Sequence, residues 1–363
     1  MDYLRQILAG AVQSGASDIH IKSDAPLVYR ISGELTPLPD TVIDEATCRQ
    51  IAQYLIPPYM KSTFEQSREV DFSFDEPGIG RFRANIFQQR SRLSMAFRHV
   101  KGVVPQWETL GLPDNARRLA DASDGIILVC GATGSGKSTT MAALLDLMNE
   151  SRKLHIVTLE DPIEYLFEDK QSVFNQREVG LDTATFQTAL VNVMRQDPDV
   201  IMIGEMRDDA SVLAAFRAAE TGHLVLSTLH SSTATQAVTR LLDFFPPEEQ
   251  SQIRRQFALC LRGIMCQRLI PAKSGEGVCP AVEILLNTPT VRKLLEEDKL
   301  DKLPVAIETG KEDGMQNFNQ SLYDLVKADL IAESVALEHA SNPDSLKMRL
   351  KGINLGDDRR IMS

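Results

Sequence analysis

A phosphate-binding loop is the clearest chemical feature of the sequence. Residues 131–138 fit the pattern G-x-x-x-x-G-K-[ST], and they stand between an apolar run at 126–130 and a helical stretch at 139–150. Glycines let successive backbone N–H groups point at phosphate oxygens, and the start of the helix adds partial positive charge. Lys137 can reach the β- and γ-phosphates, and the Ser138 hydroxyl can ligate Mg²⁺.

The flanking segments decide between two interpretations of this loop. A glycine-rich turn between a strand and a helix could have no ligand at all. The Lys-Ser pair, together with a strand before the loop and a helix after it, favours nucleotide binding instead. We therefore predict a nucleoside triphosphate site formed by Gly131, Ala132, Thr133, Gly134, Ser135, Gly136, Lys137, Ser138 and Thr139.

A second candidate group is the carboxylate of Glu205. It follows Gly204 and the buried strand predicted at 200–203. In a P-loop fold the carboxyl end of such a strand faces the Mg²⁺–nucleotide. A glutamate that only caps the turn after the strand is the alternative. We expect Glu205 to support Mg²⁺ through a water molecule.

An acidic cluster follows another predicted strand, at 156–159. Glu160, Asp161 and Glu164 lie within five residues of one another and would repel unless a cation or a water network compensated them. A Mg²⁺-bound triphosphate supplies that compensation, and one carboxylate could then orient or deprotonate the attacking water. A solvated acidic turn without chemistry remains the alternative.

Two histidines flank the strand predicted at 224–228. One end of that strand should face the nucleotide, so His230 could sense the γ-phosphate or contact a neighbouring subunit, with His223 as a further candidate. A pair of histidines is more often structural than catalytic. Metal binding is disfavoured because no further ligand accompanies them.

A hairpin in the first part of the chain displays arginines. Alternation places Arg81 and Arg83 on one face of the strand at 81–87, and Arg98 faces outward from the strand at 93–100. Such a surface suits phosphate or a carboxylate-bearing partner. A solvated charged face explains the same pattern equally well.

The remaining patterns predict two domains. Half-buried strands at 18–22, 27–31, 70–74, 81–87 and 93–100, with helices near 4–12 and 45–55, indicate a small α+β domain. From residue 125 continuous apolar strands alternate with helices, which is typical of a parallel sheet buried on both faces.

After residue 247 we expect mainly helices, at 248–268, 290–297, 316–327 and 334–340. The predicted boundaries are 1–100, a linker at 101–113, a motor domain at 114–351 and a flexible tail at 352–363.

Composition narrows the class of protein. The chain has 363 residues and a formal net charge of −11, which argues against nonspecific nucleic-acid binding. We expect neither a spanning helix nor a secretory signal. The five cysteines are scattered without a C-x-x-C pair, which favours a reducing, cytoplasmic environment over a structural zinc site.

Taken together, these motifs resemble one family, the secretion ATPases, and within it the type IV pilus retraction motors of the PilT/PilU kind. The resemblance extends over nearly the whole chain. It rests on SDIHI at 17–21, the P-loop, EDPIE at 160–164, QREVG at 176–180, GEMRD at 204–208 and the histidine box at 221–230.

The resemblance implies a fold, an assembly and residue roles. It implies a RecA-like P-loop motor domain with helices at its carboxyl end, preceded by a smaller PAS-like α+β domain. It also implies a homohexameric ATP hydrolase that uses Mg²⁺, in which Arg83 and Arg98, with Arg81 as a third candidate, reach the nucleotide of the adjacent subunit. Glu164 is then the general base, Glu205 the Walker B glutamate, and His230 completes the site.

The same resemblance suggests a cellular role. Pilus extension ATPases usually carry an additional amino-terminal domain, and many carry a tetracysteine zinc element; neither occurs in these 363 residues. We therefore expect a retraction motor on the inner face of the cytoplasmic membrane. Its partners would be a membrane platform protein and a paralogous pilus ATPase, without nucleic acid. The segment at 289–297 departs from the family's helix and leans toward the accessory PilU-like branch.

Two other functions remain open from the sequence. A hexameric scaffold could bind ATP, hydrolyse little of it and assist an active motor, although the intact carboxylates argue against this. A DNA-translocating motor is the weaker alternative, because the chain is acidic and lacks an aromatic-basic binding face.

Overall fold

The computed structural model describes residues 2–100 and 102–353, and the chain forms two compact units. The first contains the chain up to Val103 together with the segments Asp161–Phe167 and Glu178–Ala184. The second contains Val104–Glu160, Glu168–Arg177 and the chain from Thr185 onward. The division therefore does not follow a single boundary in the sequence, because two short segments of the later part of the chain join the first unit.

The first unit is an antiparallel sheet with helices. Its helices are α1 (Asp2–Gln13), α2 (Glu45–Leu55) and α3 (Lys61–Ser67). Its strands are β1 (Ala16–Lys22), β2 (Ala25–Ile31), β3 (Glu34–Ile43), β4 (Glu69–Glu76), β5 (Gly80–Gln89) and β6 (Arg92–Val100). Within the described residues their order in the sheet is β3-β2-β1-β6-β5-β4, and each pair of neighbours is antiparallel. The predicted α+β class is confirmed.

Alternation along β5 builds the core of this unit. Phe82, Ala84 and Ile86 are fully buried, whereas Arg81 and Arg83 lie on the opposite face. Successive strand side chains point to opposite faces of a sheet, so one set enters the core while the other stays available for polar contacts. The predicted orientation of the arginines is confirmed.

One strand of this sheet was not predicted. β3 lies at the edge of the sheet and contains Pro37 and Pro39. Proline cannot donate a ladder hydrogen bond and is therefore confined to edge strands and bulges. Its pairing with β2 is irregular between Pro26 and Leu27. Because of these prolines, the sequence pattern of this segment is typical of a loop.

The second unit is a mainly parallel sheet covered by helices. Its strands are β7 (Gly125–Cys130), β8 (His155–Glu160), β9 (Val173–Glu178), β10 (Val200–Ile203), β11 (Leu224–Leu229), β12 (Leu261–Pro271) and β13 (Val278–Leu286). The helices up to residue 260 are α4 (Asp114–Arg117), α5 (Lys137–Ser151), α6 (Phe186–Val193), α7 (Asp209–Glu220), α8 (Ala234–Leu242) and α9 (Pro247–Cys260). Those that follow β13 are α10 (Pro289–Glu296), α11 (Leu303–Thr309), α12 (Phe318–Lys327), α13 (Glu333–His339) and α14 (Pro343–Leu350).

The order of these strands determines where a ligand can bind. In the described residues it is β13-β12-β7-β11-β10-β8-β9. β12, β7, β11, β10 and β8 run parallel to one another, and β13 is antiparallel to β12. The carboxyl ends of the parallel strands therefore lie along one edge of the sheet, where open α/β sheets bind ligands.

One sequence prediction is wrong in this unit. The helix expected at 248–268 ends at Cys260, and Leu261–Pro271 is the strand β12, hydrogen-bonded to both β7 and β13. A mostly apolar strand that is flanked on both sides by sheet does not differ clearly in periodicity from a buried helix segment. The helices at the carboxyl end of the chain are confirmed, as is the α/β fold with a parallel sheet.

The segment joining the two domains contains the only tryptophan. Trp107 is buried within the second unit, at the start of a short 3₁₀ turn, and so anchors this segment there. Most of the tail expected at 352–363 lies outside the described residues. None of the helices among residues 2–100 and 102–353 combines the length and apolar character needed to cross a bilayer.

Candidate functional site

Two glycines give the P-loop its shape. A methyl group at Gly131 would lie 2.3 Å from Ser135 Oγ and 2.6 Å from the carbonyl oxygen of Gln267. A methyl group at Gly136 would lie 2.8 Å from Gln267 Nε2. Both glycines have positive φ angles, of 155° and 87°. Only glycine adopts this backbone without strain and leaves room for the neighbouring atoms, so the loop curls tightly against β12.

The interior of this loop offers hydrogen-bond donors. Lys137 is buried, and its Nζ donates to the carbonyl oxygens of Gly131 and Ala132 at 3.0 Å each. Ser135 is also buried, and its Oγ has no hydrogen-bond partner among the described residues. A buried hydroxyl without a partner carries a desolvation cost that a bound phosphate oxygen would remove. Donors arranged in this way fit a polyanionic ligand.

Glu205 and His230 meet at the same edge of the sheet. Glu205 Oε1 lies 3.4 Å from His230 Nε2, and its Oε2 accepts a hydrogen bond from Arg207 Nε at 2.9 Å. Because β11 lies between β7 and β10, His230 follows the strand that separates the P-loop strand from the Glu205 strand. The structure thus brings a carboxylate and an imidazole to the edge at which the P-loop begins.

Hydrogen bonds fix the backbone around Glu205. The Gly204 N–H donates to the Leu159 carbonyl at 2.8 Å, and the Met206 N–H donates to the Thr228 carbonyl at 3.2 Å. Thr228 Oγ1 donates to the Gly204 carbonyl at 2.7 Å. The residues on both sides of Glu205 are therefore tied to the neighbouring strands, so its backbone has one defined position.

The acidic cluster is divided between the two units. Glu160 ends β8 in the second unit and is buried, where its Oε1 accepts hydrogen bonds from Thr158 Oγ1 at 2.6 Å and Gln176 Nε2 at 3.1 Å. Asp161 and Glu164 belong to the first unit and are exposed. Glu160 is thus placed at the carboxyl edge of the parallel sheet, as predicted for its strand, and its roles and those of Asp161 and Glu164 stay predictions.

His223 lies at the opposite edge. It precedes β11, and its Nδ1 lies 3.0 Å from both the Ala218 carbonyl oxygen and Thr221 Oγ1. The amino ends of the parallel strands form this edge, whereas the P-loop follows the carboxyl end of β7. The structure therefore does not bring His223 to the edge of the P-loop, and its contacts close the turn between α7 and β11.

The hairpin of the first unit places two arginines side by side. Arg83 and Arg98 are directly opposite each other in the β5–β6 register. Arg83 forms a two-point ion pair with Asp71, at 3.1 and 2.7 Å, and Arg98 Nε donates to Asp18 Oδ1 at 2.8 Å. Like charges in this position repel unless counter-charges are present, so the two aspartates allow the two guanidinium groups to stand together.

The pKa values of this cluster reflect the pairing. Burial raises the pKa of Asp18, but hydrogen bonds from Ser17 and Arg98 and the charge of Arg98 outweigh it, so that the pKa lies below the ordinary value. The hydrogen bond to Asp71 raises the pKa of Arg83 against the opposing effect of burial. Both interactions favour the charged forms, so the face carries fixed charges at neutral pH.

Arg81 differs from Arg83 in its surroundings. Its guanidinium donates to Glu178 at 2.9 Å and to Asp75 at 2.7 Å, and the side chains of Arg81 and Glu178 are only 11% and 4% exposed. The side chain of Arg83 is 42% exposed, and it lines a pocket of the first unit together with Asp71 and Asp161. Arg81 is thus enclosed in a buried ion pair, whereas Arg83 is accessible.

Sequence reasoning missed two buried polar side chains beside the P-loop. Thr140 Oγ1, in the first turn of α5, donates to Gln267 Oε1 at 2.7 Å. Gln267 is one of very few polar residues in the apolar run of β12, and that isolation was the available signal. Because the sequence predicts a helix over this run, it indicates neither the pairing of the run with β7 nor its position beside the loop.

A third missed residue holds the segment after His230. Glu283, on β13, is buried, and its Oε1 accepts a hydrogen bond from the Ala234 N–H at the start of α8 at 2.8 Å. Burial raises the pKa of this carboxyl, and the hydrogen bond from Ala234 and the charge of Arg268 partly oppose that increase. The segment between His230 and α8 is therefore fixed at its far end by a neighbouring strand.

The strand order and the carboxyl-edge site define a class of protein, the RecA-like P-loop ATPases. Similarity to known proteins makes the assignment narrower. The family described as "Type II/IV secretion system protein" matches residues 97–333. The type IV pilus retractation ATPase PilT of Pseudomonas aeruginosa is 39% identical over 342 residues, which cover 94% of this chain and 99% of that protein.

Two further comparisons agree. The type IV pilus ATPase PilU of the same organism is 36% identical over 346 residues, covering 95% of this chain and 91% of that protein. A crystal structure of the pilus retraction motor PilT with bound ADP matches with a TM-score of 0.87 and 42% identity, over 94% of this chain and 98% of that one. The chain belongs to the type II/IV secretion ATPase family, and within that family it is PilT/PilU-like.

Proposed function

We propose that this protein is an ATP hydrolase that powers the retraction of type IV pili as a homohexameric ring. The observation that carries the proposal is the placement of the P-loop, His230 and Glu205 along one edge of the parallel sheet. The extent of the similarity to PilT and PilU supports the cellular role. The ring would act at the inner face of the cytoplasmic membrane, where ATP is supplied.

Binding begins with the phosphates in the P-loop. Lys137 exchanges its carbonyl partners for β- and γ-phosphate oxygens, and the buried Ser135 hydroxyl gains the acceptor contact that it lacks among the described residues. Backbone N–H groups at the start of α5 complete the cradle. Mg²⁺ that enters with the nucleotide would be held by Ser138 and, through water, by Glu205, and would neutralise phosphate charge.

Hydrolysis requires a water molecule in line with the γ-phosphate and positive groups that compensate the negative charge developing there. Glu164 orients the water for in-line attack, Glu205 would hold a bound Mg²⁺ through water, and His230 carries the state of the γ-phosphate to Glu205 through their direct contact. Arg83 and Arg98 come from the first unit of a neighbouring subunit and neutralise charge on the γ-phosphate. To do so they must leave Asp71 and Asp18. The Arg83–Asp71 pair is exposed on both sides, and exposed ion pairs of this kind are worth only about 0–1 kcal/mol.

The comparison of Arg83 with Arg81 gives the experiment that tests this assignment. Arg83→Ala should abolish turnover while leaving ATP affinity and thermal stability nearly unchanged, because Arg83 contributes to hydrolysis from an exposed position. Arg81→Ala should instead lower the free energy of unfolding by about 3–5 kcal/mol, because it leaves the buried Glu178 carboxylate without its cationic partner and, among the described residues, with only the Ile163 N–H as a donor to Oε2. The measurements are steady-state ATPase rate, ATP affinity and denaturant unfolding of each variant.

The same experiment can overturn the assignment. Turnover per subunit that survives Arg83→Ala would exclude a role for this arginine in hydrolysis. Equal loss of stability in both variants would mean that Arg83 is structural, like Arg81.

Mechanical work requires two domain arrangements that ATP and ADP stabilise differently. We assign residues 101–113 as the linker in which the change occurs, between domains at 1–100 and 114–351. The remaining partners in this proposal are a membrane platform protein, which the ring turns or releases, and a paralogous pilus ATPase. No nucleic acid is required for the cycle.

A scaffold role is the second candidate. The segment 289–297, which contains α10, departs from the helix that retraction motors often carry, and PilU is nearly as similar to this chain as PilT. In this version the ring binds ATP, hydrolyses little and assists another pilus motor. The steady-state ATPase rate of the purified protein, beside that of a Glu205 variant, separates the two candidates.

A further inference from the structure

We propose that Gln267 is a positioning residue of the nucleotide site. It packs against the P-loop from β12 and thereby fixes the positions of Lys137 and Ser138. It lies on β12, outside the P-loop, the acidic cluster, the Glu205 strand and the histidine box. Its contacts reach both ends of the loop and the helix that follows. The inference rests on the nucleotide-binding function of this loop, and its test separates the two.

The contacts of Gln267 cover the whole loop. Its backbone carbonyl oxygen lies 2.6 Å from the position that a Cβ would take at Gly131, where the loop begins. Its side-chain Nε2 lies 2.8 Å from the corresponding position at Gly136, where the loop ends. Its Oε1 accepts the hydrogen bond from Thr140 Oγ1 at 2.7 Å. One residue therefore leaves no room for a side chain at the first and last glycines of the loop and is hydrogen-bonded to the first helical turn that follows.

The hydrogen bond to Thr140 determines which way the amide points. An amide has one acceptor oxygen and one donor nitrogen, and in this structure the Thr140 hydroxyl donates to the oxygen. Oε1 is thus committed to α5, and Nε2 faces the loop at Gly136. Both residues are buried, Thr140 at 1% and Gln267 at 4% exposure. Water does not substitute easily for a hydrogen bond in such a place.

The neighbouring residue on β12 fixes the strand. Arg268 points the opposite way, with its guanidinium carbon 4.0 Å from the centre of the Phe318 ring, and it donates to the His339 carbonyl at 2.9 Å. β12 is also hydrogen-bonded to β7 on one side and to β13 on the other. Gln267 is therefore presented to the loop by a strand that cannot shift along its axis.

This arrangement has a consequence for affinity. Lys137 and Ser138 directly follow Gly136. Among the described residues, the loop is held by the Gly131 N–H bond to Leu229, by one turn between Ala132 and Ser135, and by the Lys137 ammonium on the Gly131 and Ala132 carbonyls, which the nucleotide displaces. Its conformation depends on the surface against which it lies. Removing the Gln267 amide lets the loop sample other positions, and the nucleotide must then order it on binding, which lowers affinity.

The experiment compares four substitutions by ATP and ADP affinity of the full chain. Gln267→Leu removes the acceptor of the Thr140 hydroxyl and the amide nitrogen that lies beside Gly136, and Gln267→Glu keeps the acceptor for Thr140 but replaces that nitrogen with a carboxylate oxygen beside the loop. Thr140→Val removes the hydroxyl, and Thr140→Ser retains it. The matched control is Gln320→Leu, which removes a buried glutamine of α12 whose partners, Asn317 and the Glu308 carbonyl, lie in the carboxyl-terminal segment.

The expected result is about a tenfold weaker ATP affinity in Gln267→Leu, about threefold in Thr140→Val, and wild-type affinity in Thr140→Ser and Gln320→Leu. Gln267→Glu should bind ATP at least tenfold more weakly at pH 8.5. Its affinity relative to wild type at the same pH should recover toward pH 6, because a buried carboxyl protonates at raised pH values and the protonated form carries a donor and no charge.

Other outcomes overturn the inference. Gln267→Leu that binds ATP within twofold of wild type, or Gln320→Leu that loses as much affinity, would make Gln267 a structural residue only. If Gln267→Leu does not fold, the Thr140→Val and Thr140→Ser pair decides, and equal affinities in that pair contradict the proposal. A wild-type chain that binds neither ATP nor ADP would instead overturn the nucleotide site itself.

Discussion

Gly131→Ala is expected to abolish ATP binding, with an affinity at least a hundredfold weaker than that of wild type. The added methyl group would lie 2.3 Å from Ser135 Oγ and 2.6 Å from the Gln267 carbonyl oxygen, and the second of these belongs to the backbone of β12, which is hydrogen-bonded on both sides. The φ angle of 155° at Gly131 adds strain for any L side chain. The loop can accept the methyl group only by moving away from β12, which displaces Lys137.

Gly134→Ala provides the matched control for this prediction. Gly134 also has a positive φ angle, of 77°, but nothing lies within 4 Å of the position that its Cβ would take. The expected loss is the conformational cost alone, about 1 kcal/mol, or roughly fivefold in affinity. Titration of ATP into both variants measures the difference. Equal losses in the two would show that the close approach to β12 does not shape the loop.

Glu205→Gln is expected to lower the ATP turnover rate by a factor of about 10²–10⁴ while the affinity for ATP stays within a few-fold of wild type. The substitution keeps the size of the side chain and removes its charge. Glu205 contacts both His230 and Arg207, so the neutral amide weakens both interactions and the support of the metal shell. The readouts are phosphate release at saturating ATP and equilibrium ATP binding.

A second glutamate of the same unit serves as the control for Glu205. Glu220 ends α7, near the opposite edge of the sheet, and its carboxylate accepts a hydrogen bond from Gln256 at 2.7 Å. Glu220→Gln should leave the turnover rate unchanged. A Glu205→Gln variant that hydrolyses ATP at the wild-type rate would exclude a catalytic part for this carboxylate, and a rate that is equally low in both chains would favour the scaffold role.

The sequence predicted those parts of the fold in which local pattern and burial agree. The alternation of Phe82, Ala84 and Ile86 with Arg81 and Arg83 described β5 correctly, because one face of that strand is core and the other is polar. The prediction of a helix where β12 lies was wrong because this strand is buried on both faces, so its hydrophobic residues show no two-residue period. β3 was missed because its prolines, which only an edge strand accepts, resemble those of a loop.

The site was predictable where a motif carries its own chemistry. The P-loop and Glu205 each stand at the end of a recognisable strand, and the parallel order of the sheet brings them to one edge. The buried pairing of Arg81 with Glu178 joins residues 97 positions apart, and the bond between Thr140 and Gln267 joins residues 127 apart. Such contacts depend on tertiary packing, and no local pattern in the sequence specifies them.

The most direct test of the motor function is pilus retraction in cells that carry this protein as their only retraction ATPase. Cells with the wild-type chain should retract their pili, and cells with Glu205→Gln should not, although the variant is made in equal amounts and binds ATP. Retraction that is the same with both chains, or absent with both, would contradict the claim that ATP hydrolysis at this site drives the movement.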